Sequence, residues 1–461
     1  MEDSLAYRVT SEARSVRRLA KSLDAYLEKN LAFRRYPPEL TPLFDFFSGA
    51  LRAVREYGTS TLKGLDQQSD MYARNLLKTL YTTKRIVQLL YEKLHAAIQA
   101  ETLNTPFPIL RYLNALVGQL KGAIGDGVTV GFLAAQPMMY YHYPMEETVN
   151  LSAQLQLTIS GFPAFPKGLA LIGYPYTEST NTLLNCALIH ELGHYVWDKL
   201  PISRKVAKLA AGLSITGLQF KTLFDERYYA AACKNALRRW GAEAFSDAFA
   251  LMYIGPAYSF AFREMANMLP VPERAEDTFS QTHPAISYRW HIHAAMLKKI
   301  GWWEILREEA EAEHSWLSGY LAERKYAAPF AAIPGLPDRV LRIFDKIVRA
   351  IIEYCTGEFS ESAKTVCEEF RKIGGDVKKY LEHGIPPASV VIGGESTFPL
   401  PATIVNAGWF LSLEGMTETL RLMGREGDEL AHDVLESRLA GWVSKAMEDV
   451  PIVVMQEGGG E

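Results

Sequence analysis

An apolar stretch in the middle of the chain carries three side chains that are unfavourable to bury. It runs from Leu183 to Trp197 and contains His190, Glu191 and His194 in the pattern H-E-x-x-H. The apolar neighbours predict a buried helix, on which residues four apart share one face. Buried histidine and glutamate need partners, so the pattern indicates that both imidazoles bind one metal ion. The alternative is a pair of core histidines that hydrogen-bond to the backbone.

A second apolar helical segment carries two acidic residues. Glu243 and Asp247 lie one turn apart within the segment Trp240–Leu251. A catalytic zinc site uses three protein ligands and keeps one position open, and Glu243 is the candidate third ligand beside His190 and His194. A ligating histidine usually donates its other ring N–H to a carboxylate, which predicts a contact from Asp247 to His190. The alternative is that both carboxylates form a solvated acidic face.

Together the two segments resemble the gluzincin branch of zinc metallopeptidases, in which H-E-x-x-H is followed by E-x-x-x-D on a second helix. The other large branch extends the first motif to H-E-x-x-H-x-x-G-x-x-H. This chain has Trp197 in place of that glycine and Leu200 in place of the third histidine, which excludes that branch. The gap of 49 residues from His194 to Glu243 is longer than in thermolysin.

The closer resemblance is to the CAAX-prenyl-protein endopeptidase type, over roughly residues 165–295. Members of that type carry a run similar to Glu243–Ala250, and later a T-H-P element with a following arginine. Here these are Thr282-His283-Pro284 and Arg289. The resemblance implies that His283 stabilises an oxyanion, and that Arg289 positions His283 or binds substrate. The alternative for His283 is a helix-capping or surface histidine.

Two further histidines follow closely, at His291 and His293. A spacing of two points them to different faces of a helix. We therefore expect two ordinary residues and no second metal site.

The resemblance and the residues together predict a mainly α fold with a small β-sheet (α+β), built as a zincin-like catalytic domain with helical flanks. We expect an N-terminal helical bundle at 1–125, the metallopeptidase domain at 126–327 and a C-terminal helical region at 338–461. The Pro-rich stretch between the last two regions marks the boundary.

Apolar stripes at helical spacing predict helices in several regions, with a structured connection at 200–240 because it is long. These regions are 1–35, 39–57, 68–103, 285–326, 338–382 and 404–448. Strand-like runs occur at Val128–Phe132, Leu155–Ile159 and Leu169–Ile172. Zincin sheets pair an edge strand with the substrate backbone, and Leu169–Gly173 is the expected edge strand.

Composition restricts the setting in which the chain works. The net charge of −4 argues against a general nucleic-acid binder. The most apolar run, Val128–Tyr143, is interrupted by polar residues, so no membrane span is expected and prenylated substrates are not carried over. Four cysteines without a C-x-x-C pair, and an N-terminus without a signal pattern, favour a cytoplasmic location.

The expected function is a zinc metallopeptidase that hydrolyses peptide bonds through a zinc-bound water activated by Glu191. One Zn²⁺ per chain, a protein or peptide substrate and narrow endopeptidase specificity are expected, with a regulatory protein as a possible partner. The alternative is a catalytically inactive, zinc-stabilised helical interaction protein with a peptidase-like fold.

Overall fold

The computed structural model describes residues 5–63, 70–102, 105–135, 140–142, 146–268, 279–322, 329–422, 424–425 and 429–458. The structure is 74% helical, with one sheet of three strands and one of two. The predicted fold class, mainly α with a small β-sheet, is confirmed.

The elements that precede the H-E-x-x-H segment are, in chain order, α1 (Leu5–Phe33), α2 (Thr41–Lys63), α3 (Asp70–Gln99), α4 (Phe107–Gln119), α5 (Lys121–Ile124), β1 (Thr129–Ala135), β2 (Tyr141–His142), α6 (Glu146–Gln156), β3 (Leu169–Pro175) and α7 (Thr182–Asn185). The three helices predicted at the start of the chain are present as α1, α2 and α3. Each presents a buried stripe at intervals of three to four residues, as α1 does with Val9, Ala13 and Val16.

The later elements are α8 (Leu188–Trp197), α9 (Pro201–Ala211), α10 (Leu223–Ile254), α11 (Pro256–Met268), α12 (Ile286–Lys299), α13 (Trp303–Glu309), α14 (Glu311–Ala322), α15 (Leu336–Glu358), α16 (Ser360–Glu382), β4 (Val390–Ile392), β5 (Glu395–Thr397), α17 (Pro401–Leu413), α18 (Thr417–Leu422) and α19 (Glu429–Gly458). Helix α9 and the start of α10 supply the structure expected within the connection 200–240. Strands β4 and β5 form an antiparallel hairpin.

The chain divides into two compact units. The first contains Met1–Thr105 and Gly125–Tyr176, and the second contains Pro106–Ile124 and Thr177–Glu461. This division differs from the three predicted regions, because the sheet belongs with the N-terminal helices and the C-terminal helices belong with the H-E-x-x-H helix. In the first unit α3 packs on β1 and α6. Apolar periodicity shows which face of an element is buried, but not which neighbour covers it.

The three-stranded sheet in the first unit has β3 in its centre. Strand β3 is parallel to β1, with Thr129 opposite Leu169, and antiparallel to β2, with His142 opposite Ile172. The prediction of Leu169–Gly173 as an edge strand was therefore wrong. Every residue of β3 is buried, as expected for a continuous apolar strand that is covered on both faces.

The predicted strand at Leu155–Ile159 was also wrong. Leu155 lies in the last turn of α6, and the N–H of Ile159 donates to the carbonyl of Leu155 at 2.7 Å. Both side chains are 1% exposed. Apolar residues four apart share a helical face as well as a strand face, and the local pattern fitted both.

Helix α10 is the centre of the second unit. It packs against α8, α9, α12, α15 and α16. The hydroxyl of Thr222 caps its start by accepting from the N–H of Asp225 at 3.1 Å, and Gly255 ends it with a φ of 64°. Almost every residue from Trp240 to Ile254 is buried, as expected for a helix that is apolar on all sides.

Helices α8 and α10 approach each other closely at Gly193. A Cβ atom at Gly193 would lie 2.8 Å from Cα of Ser246. Real Cβ atoms do not come that close to backbone, so the crossing requires glycine. This glycine lies between Glu191 and His194 in the motif, and Ser246 lies between Glu243 and Asp247.

The four cysteines are free and buried, as expected for a chain without a disulfide framework. Among the helices that the structure describes, none is both long and apolar enough to cross a lipid bilayer.

Candidate metal centre

The second unit brings together the two histidines of H-E-x-x-H and Glu243. Nε2 of His190 lies 3.1 Å from Nε2 of His194 and 3.4 Å from Oε2 of Glu243. Nε2 of His194 lies 3.4 Å from Oε1 of Glu243. Tetrahedral zinc with bonds of about 2.0–2.1 Å separates its ligand atoms by about 3.3–3.4 Å. The observed contacts are close to this separation, with each oxygen of Glu243 facing one histidine. The group of three side chains can hold a metal ion.

The group is buried but open on one side. The side chains of His190 and Glu243 are 8% and 11% exposed, and that of His194 is 20% exposed. His283 lies beside them, with Nε2 at 3.5 Å from Oε1 of Glu243 and a side chain that is 58% exposed. Solvent therefore reaches the group on the side of His194 and His283.

The electrostatics of the group favour bound positive charge. Burial alone would lower the pKa of His190, but hydrogen bonds with Asp247 and Glu243 outweigh it and raise the pKa to about 9. Burial alone would raise the pKa of Glu243, but His194, His190 and Arg289 hold that pKa well below its usual range. A carboxylate that stays ionised in the interior is suited to a cation, and binding of a metal at His190 displaces a proton.

Asp247 makes the predicted contact with His190. Its Oδ1 lies 3.0 Å from Nδ1 of His190, the ring nitrogen that faces away from the ligand group. Asp247 is fully buried, and burial alone would raise its pKa, but Arg289 and His190 keep the pKa well below the usual value. The sequence pattern thus located the carboxylate behind the metal-ligand candidates.

Arg289 lies against the carboxylates of Asp247 and Glu243. Its Nε donates to Oδ2 of Asp247 at 2.8 Å and a terminal nitrogen donates to Oδ1 at 2.5 Å. The guanidinium lies over the ring of Phe262 at 4.1 Å, and the side chain is 9% exposed. A buried carboxylate needs a countercharge, so Arg289 neutralises Asp247. A terminal nitrogen of Arg289 also lies 3.6 Å from Oε2 of Glu243. The expected roles of Arg289, positioning His283 or binding substrate, stay predictions.

Tyr258 and His293 complete the surroundings of Asp247, and sequence reasoning did not assign them to the site. The Tyr258 hydroxyl donates to Oδ1 of Asp247 at 2.5 Å. Nε2 of His293 lies 3.6 Å from Oδ2 of Asp247, and its Nδ1 lies 3.1 Å from the hydroxyl of Ser259. No spacing marks Tyr258 in the sequence, because α10 ends at Gly255, between it and Asp247.

The two neighbouring histidines of α12 point to different faces, as predicted. Nδ1 of His291 lies 2.9 Å from the carbonyl oxygen of Tyr320, whereas His293 is fully buried beside Asp247. The expectation that His293 is an ordinary residue was incomplete, because it contacts the carboxylate that supports His190.

His283 belongs to a short loop that is fastened to α10. The indole N–H of Trp240 donates to the carbonyl of Ser280 at 2.9 Å. The backbone N–H groups of Thr282 and His283 both donate to the hydroxyl oxygen of Ser280, at 3.1 and 2.7 Å. The loop is thus held one turn before Glu243.

The hydrogen-bond partners in this loop favour one tautomer of His283. The two backbone donors fill both lone pairs of the Ser280 hydroxyl oxygen. Its own hydrogen then goes to the carbonyl of His283 or to Oγ1 of Thr282, at 3.2 and 3.1 Å. The hydroxyl of Thr282 lies 2.8 Å from Nδ1 of His283 and can donate to it. Ionised Glu243 can only accept and lies 3.5 Å from Nε2, which favours the neutral ring with its hydrogen on Nε2.

Glu191 lies on α8 between the two histidines and is 8% exposed. Residues three apart are neighbours on a helix surface, so Glu191 is adjacent to His194. A carboxylate at this point has the chemistry of a general base for a water molecule beside the ligand group.

A second group that could hold a metal lies on α19, formed by His432, Asp433 and Glu436. Asp433 and Glu436 are exposed, and the contact between His432 Nδ1 and Glu436 is 3.9 Å. Exposed acidic groups of this kind are common without a metal, so the buried group is the stronger candidate.

Comparison with protein-family models, with curated proteins and with solved structures gives no match to this chain. The resemblance to zinc metallopeptidases therefore depends on the motifs themselves.

Proposed function

We propose that the chain is a zinc-dependent peptidase whose metal is held by His190, His194 and Glu243. The observation that carries the proposal is the clustering of the two histidine Nε2 atoms with the Glu243 carboxylate, whose two oxygens each lie 3.4 Å from one histidine, while Glu191 lies on α8 between those histidines. Two imidazoles and one carboxylate are a common donor set for catalytic zinc. When bound, zinc would acidify a water molecule and polarise the carbonyl of the scissile peptide bond.

Glu191 is the proposed general base and acid. Its carboxylate accepts a proton from the attacking water and passes it to the nitrogen of the leaving amine as the C–N bond breaks. A structural metal site needs no general base beside its ligands. The presence of Glu191 therefore supports a catalytic site that hydrolyses its substrate.

His283 is the proposed donor to the oxyanion. Its Nε2–H lies at the solvent side of Glu243, where a substrate carbonyl can approach. A hydrogen bond placed where negative charge develops is among the larger contributions to catalysis. Since Thr282 and Ser280 fix the ring from behind, the donor is oriented before substrate binds.

A second candidate function is a metal-stabilised interaction protein without peptidase activity. The packing of α10 against α15, α16 and α17 favours it, because the metal centre lies within one large helical unit. A metal there would stabilise the unit whether or not a reaction occurs.

Metal analysis of the purified full-length chain and of Glu243→Ala tests the centre. We expect about one zinc per chain, lost or sharply weakened in the variant, as for a site with three protein ligands. A well-folded chain that takes up no zinc when zinc is supplied would overturn the proposal.

Cleavage of a peptide library derived from whole-cell protein tests the activity. We expect specific products with the zinc-loaded chain, and no products with Glu191→Gln, which should keep its zinc. Cleavage by Glu191→Gln would contradict the assigned base. Zinc binding without products from the unaltered chain would favour the second candidate.

A further inference from the structure

The hydroxyl of Tyr258 lies at the meeting point of three charged or ionisable groups. It donates to Oδ1 of Asp247 at 2.5 Å, lies 2.9 Å from Nδ1 of His190, and accepts from Arg289 at 3.3 Å. Tyr258 is fully buried and lies on α11, after the chain has turned at Gly255. It does not reach the open side of the metal centre, so substrate cannot contact it.

Two neighbours of the Tyr258 hydroxyl can form a hydrogen bond in only one direction. Arg289 can only donate, and ionised Asp247 can only accept. The single hydroxyl hydrogen of Tyr258 is therefore directed to Asp247, and its oxygen faces His190 as an acceptor. Both groups near Nδ1 of His190 are then acceptors, which requires a hydrogen on Nδ1. A neutral imidazole with this hydrogen has its lone pair on Nε2.

Asp247 alone is poorly placed to orient the ring of His190. Its Oδ1 already accepts from Tyr258 and Arg289 at 2.5 Å each, and Nδ1 of His190 is a third and longer contact at 3.0 Å. The Tyr258 oxygen supplies a second acceptor at 2.9 Å. Its ring also stacks on that of His190, with centroids 5.7 Å apart and an interplanar angle of 14°.

We propose that Tyr258 is a positioning residue that fixes the ring of His190 with Nε2 directed toward the metal. The inference rests on the proposed metal centre and adds a residue to its support. Partners of this kind typically change metal affinity by about 10- to 100-fold when they are removed.

The test compares Tyr258→Phe with a matched variant, Tyr288→Phe. Tyr288 is also a buried tyrosine of the second unit, and its hydroxyl donates to Asp345. Tyr288 lies on α12, and among the described residues its hydroxyl does not bond to His190 or Asp247. Tyr288→Phe therefore measures the general effect of removing a buried tyrosine hydroxyl. Zinc affinity is measured by competition with a chromophoric chelator, and coordination by the visible spectrum of the cobalt-substituted protein.

We expect Tyr258→Phe to weaken zinc binding by about 10- to 100-fold and to change the cobalt spectrum, while Tyr288→Phe preserves both. Equal effects of the two variants, or no effect of Tyr258→Phe, would overturn the proposal. If the unaltered chain does not bind zinc, both this proposal and the metal centre are overturned. If the unaltered chain binds zinc but Tyr258→Phe binds it equally well, only the proposal for Tyr258 is overturned.

A measurement on the unaltered chain keeps the proposal falsifiable if Tyr258→Phe does not fold. In the zinc-loaded protein, labelled with ¹⁵N at histidine, long-range proton–nitrogen correlations distinguish the two ring nitrogens. We expect His190, identified by its contacts to the Tyr258 ring, to carry a slowly exchanging hydrogen on Nδ1. A metal bound through Nδ1, or no hydrogen there, would overturn the proposal.

Discussion

Replacing Gly193 with alanine should separate the two helices that carry the metal ligands. The added Cβ would lie 2.8 Å from Cα of Ser246 and 3.1 Å from its Cβ and Oγ. Ordinary van der Waals contact begins at 3.4 Å, so a further separation of about 0.6 Å would restore it. The nearest atom is backbone, so no side-chain rotation relieves the contact.

The expected size follows from two opposing effects. Overpacking in a well-packed interior destabilises by about 1–3 kcal/mol. Alanine is favoured over glycine within a helix by about 1 kcal/mol. The net result is roughly 0–2 kcal/mol of destabilisation. Metal binding should suffer more, because ligand distances tolerate errors of only about 0.2 Å.

Gly375 provides the matched control. It lies within α16 in the same unit, and a Cβ there meets no described atom within 4 Å. Gly375→Ala should therefore show the helix preference alone and stabilise by up to about 1 kcal/mol. Urea unfolding of the metal-free proteins, followed by circular dichroism, measures stability, and chelator competition measures zinc affinity. If Gly193→Ala matched Gly375→Ala in stability and the unaltered chain in zinc affinity, the close crossing would not be needed.

Three further predictions concern the surroundings of the centre. Arg289→Met should destabilise the second unit by about 3–5 kcal/mol, because it removes the guanidinium that contacts both oxygens of buried Asp247; thermal unfolding measures this, and an unchanged midpoint would contradict it. The pKa of Asp247 is lowered, by Arg289 and His190 against the opposing effect of burial, so its contribution is present above pH 4 and lost as pH falls toward the folded-state value. Asp247→Asn should accordingly lose less stability in acid than the unaltered chain. Equal losses of unfolding free energy in the two proteins as the pH falls would refute this. Thr282→Val should slow peptide cleavage without loss of zinc because it removes the donor to His283, whereas Thr282→Ser should restore activity; equal rates for both variants would count against the assigned hydrogen bond.

The residues that sequence reasoning placed near the metal centre share a property, since each lies in a short motif with helical spacing. His190 and His194 are four apart, as are Glu243 and Asp247, so one turn of helix fixes each pair. That two apolar helices carry these pairs indicates that the pairs meet. The structure brings the four side chains together through the contact at Gly193.

The features that sequence reasoning missed depend on contacts between distant segments. Tyr258 reaches Asp247 because the chain reverses at Gly255, and local periodicity does not specify the direction of that turn. The central position of β3 depends on the pairing of β1 and β2 on either side of it. The resemblance implied that Arg289 positions His283 or binds substrate, but it gave no sign of the two hydrogen bonds that Arg289 donates to buried Asp247.

The aromatic core of the second unit bears on how the metal would be exchanged. Large side chains that include Trp240, Phe245, Phe249 and Trp290 are almost fully buried around α10 and α12. Small zinc modules unfold when a chelator removes the metal, because the ion supplies most of their folding free energy. A core of this size supplies folding free energy through apolar burial, so we expect the second unit to stay folded when a chelator removes zinc. If the proposed function holds, the fraction of active chains would follow the supply of free zinc, independently of how much protein is made.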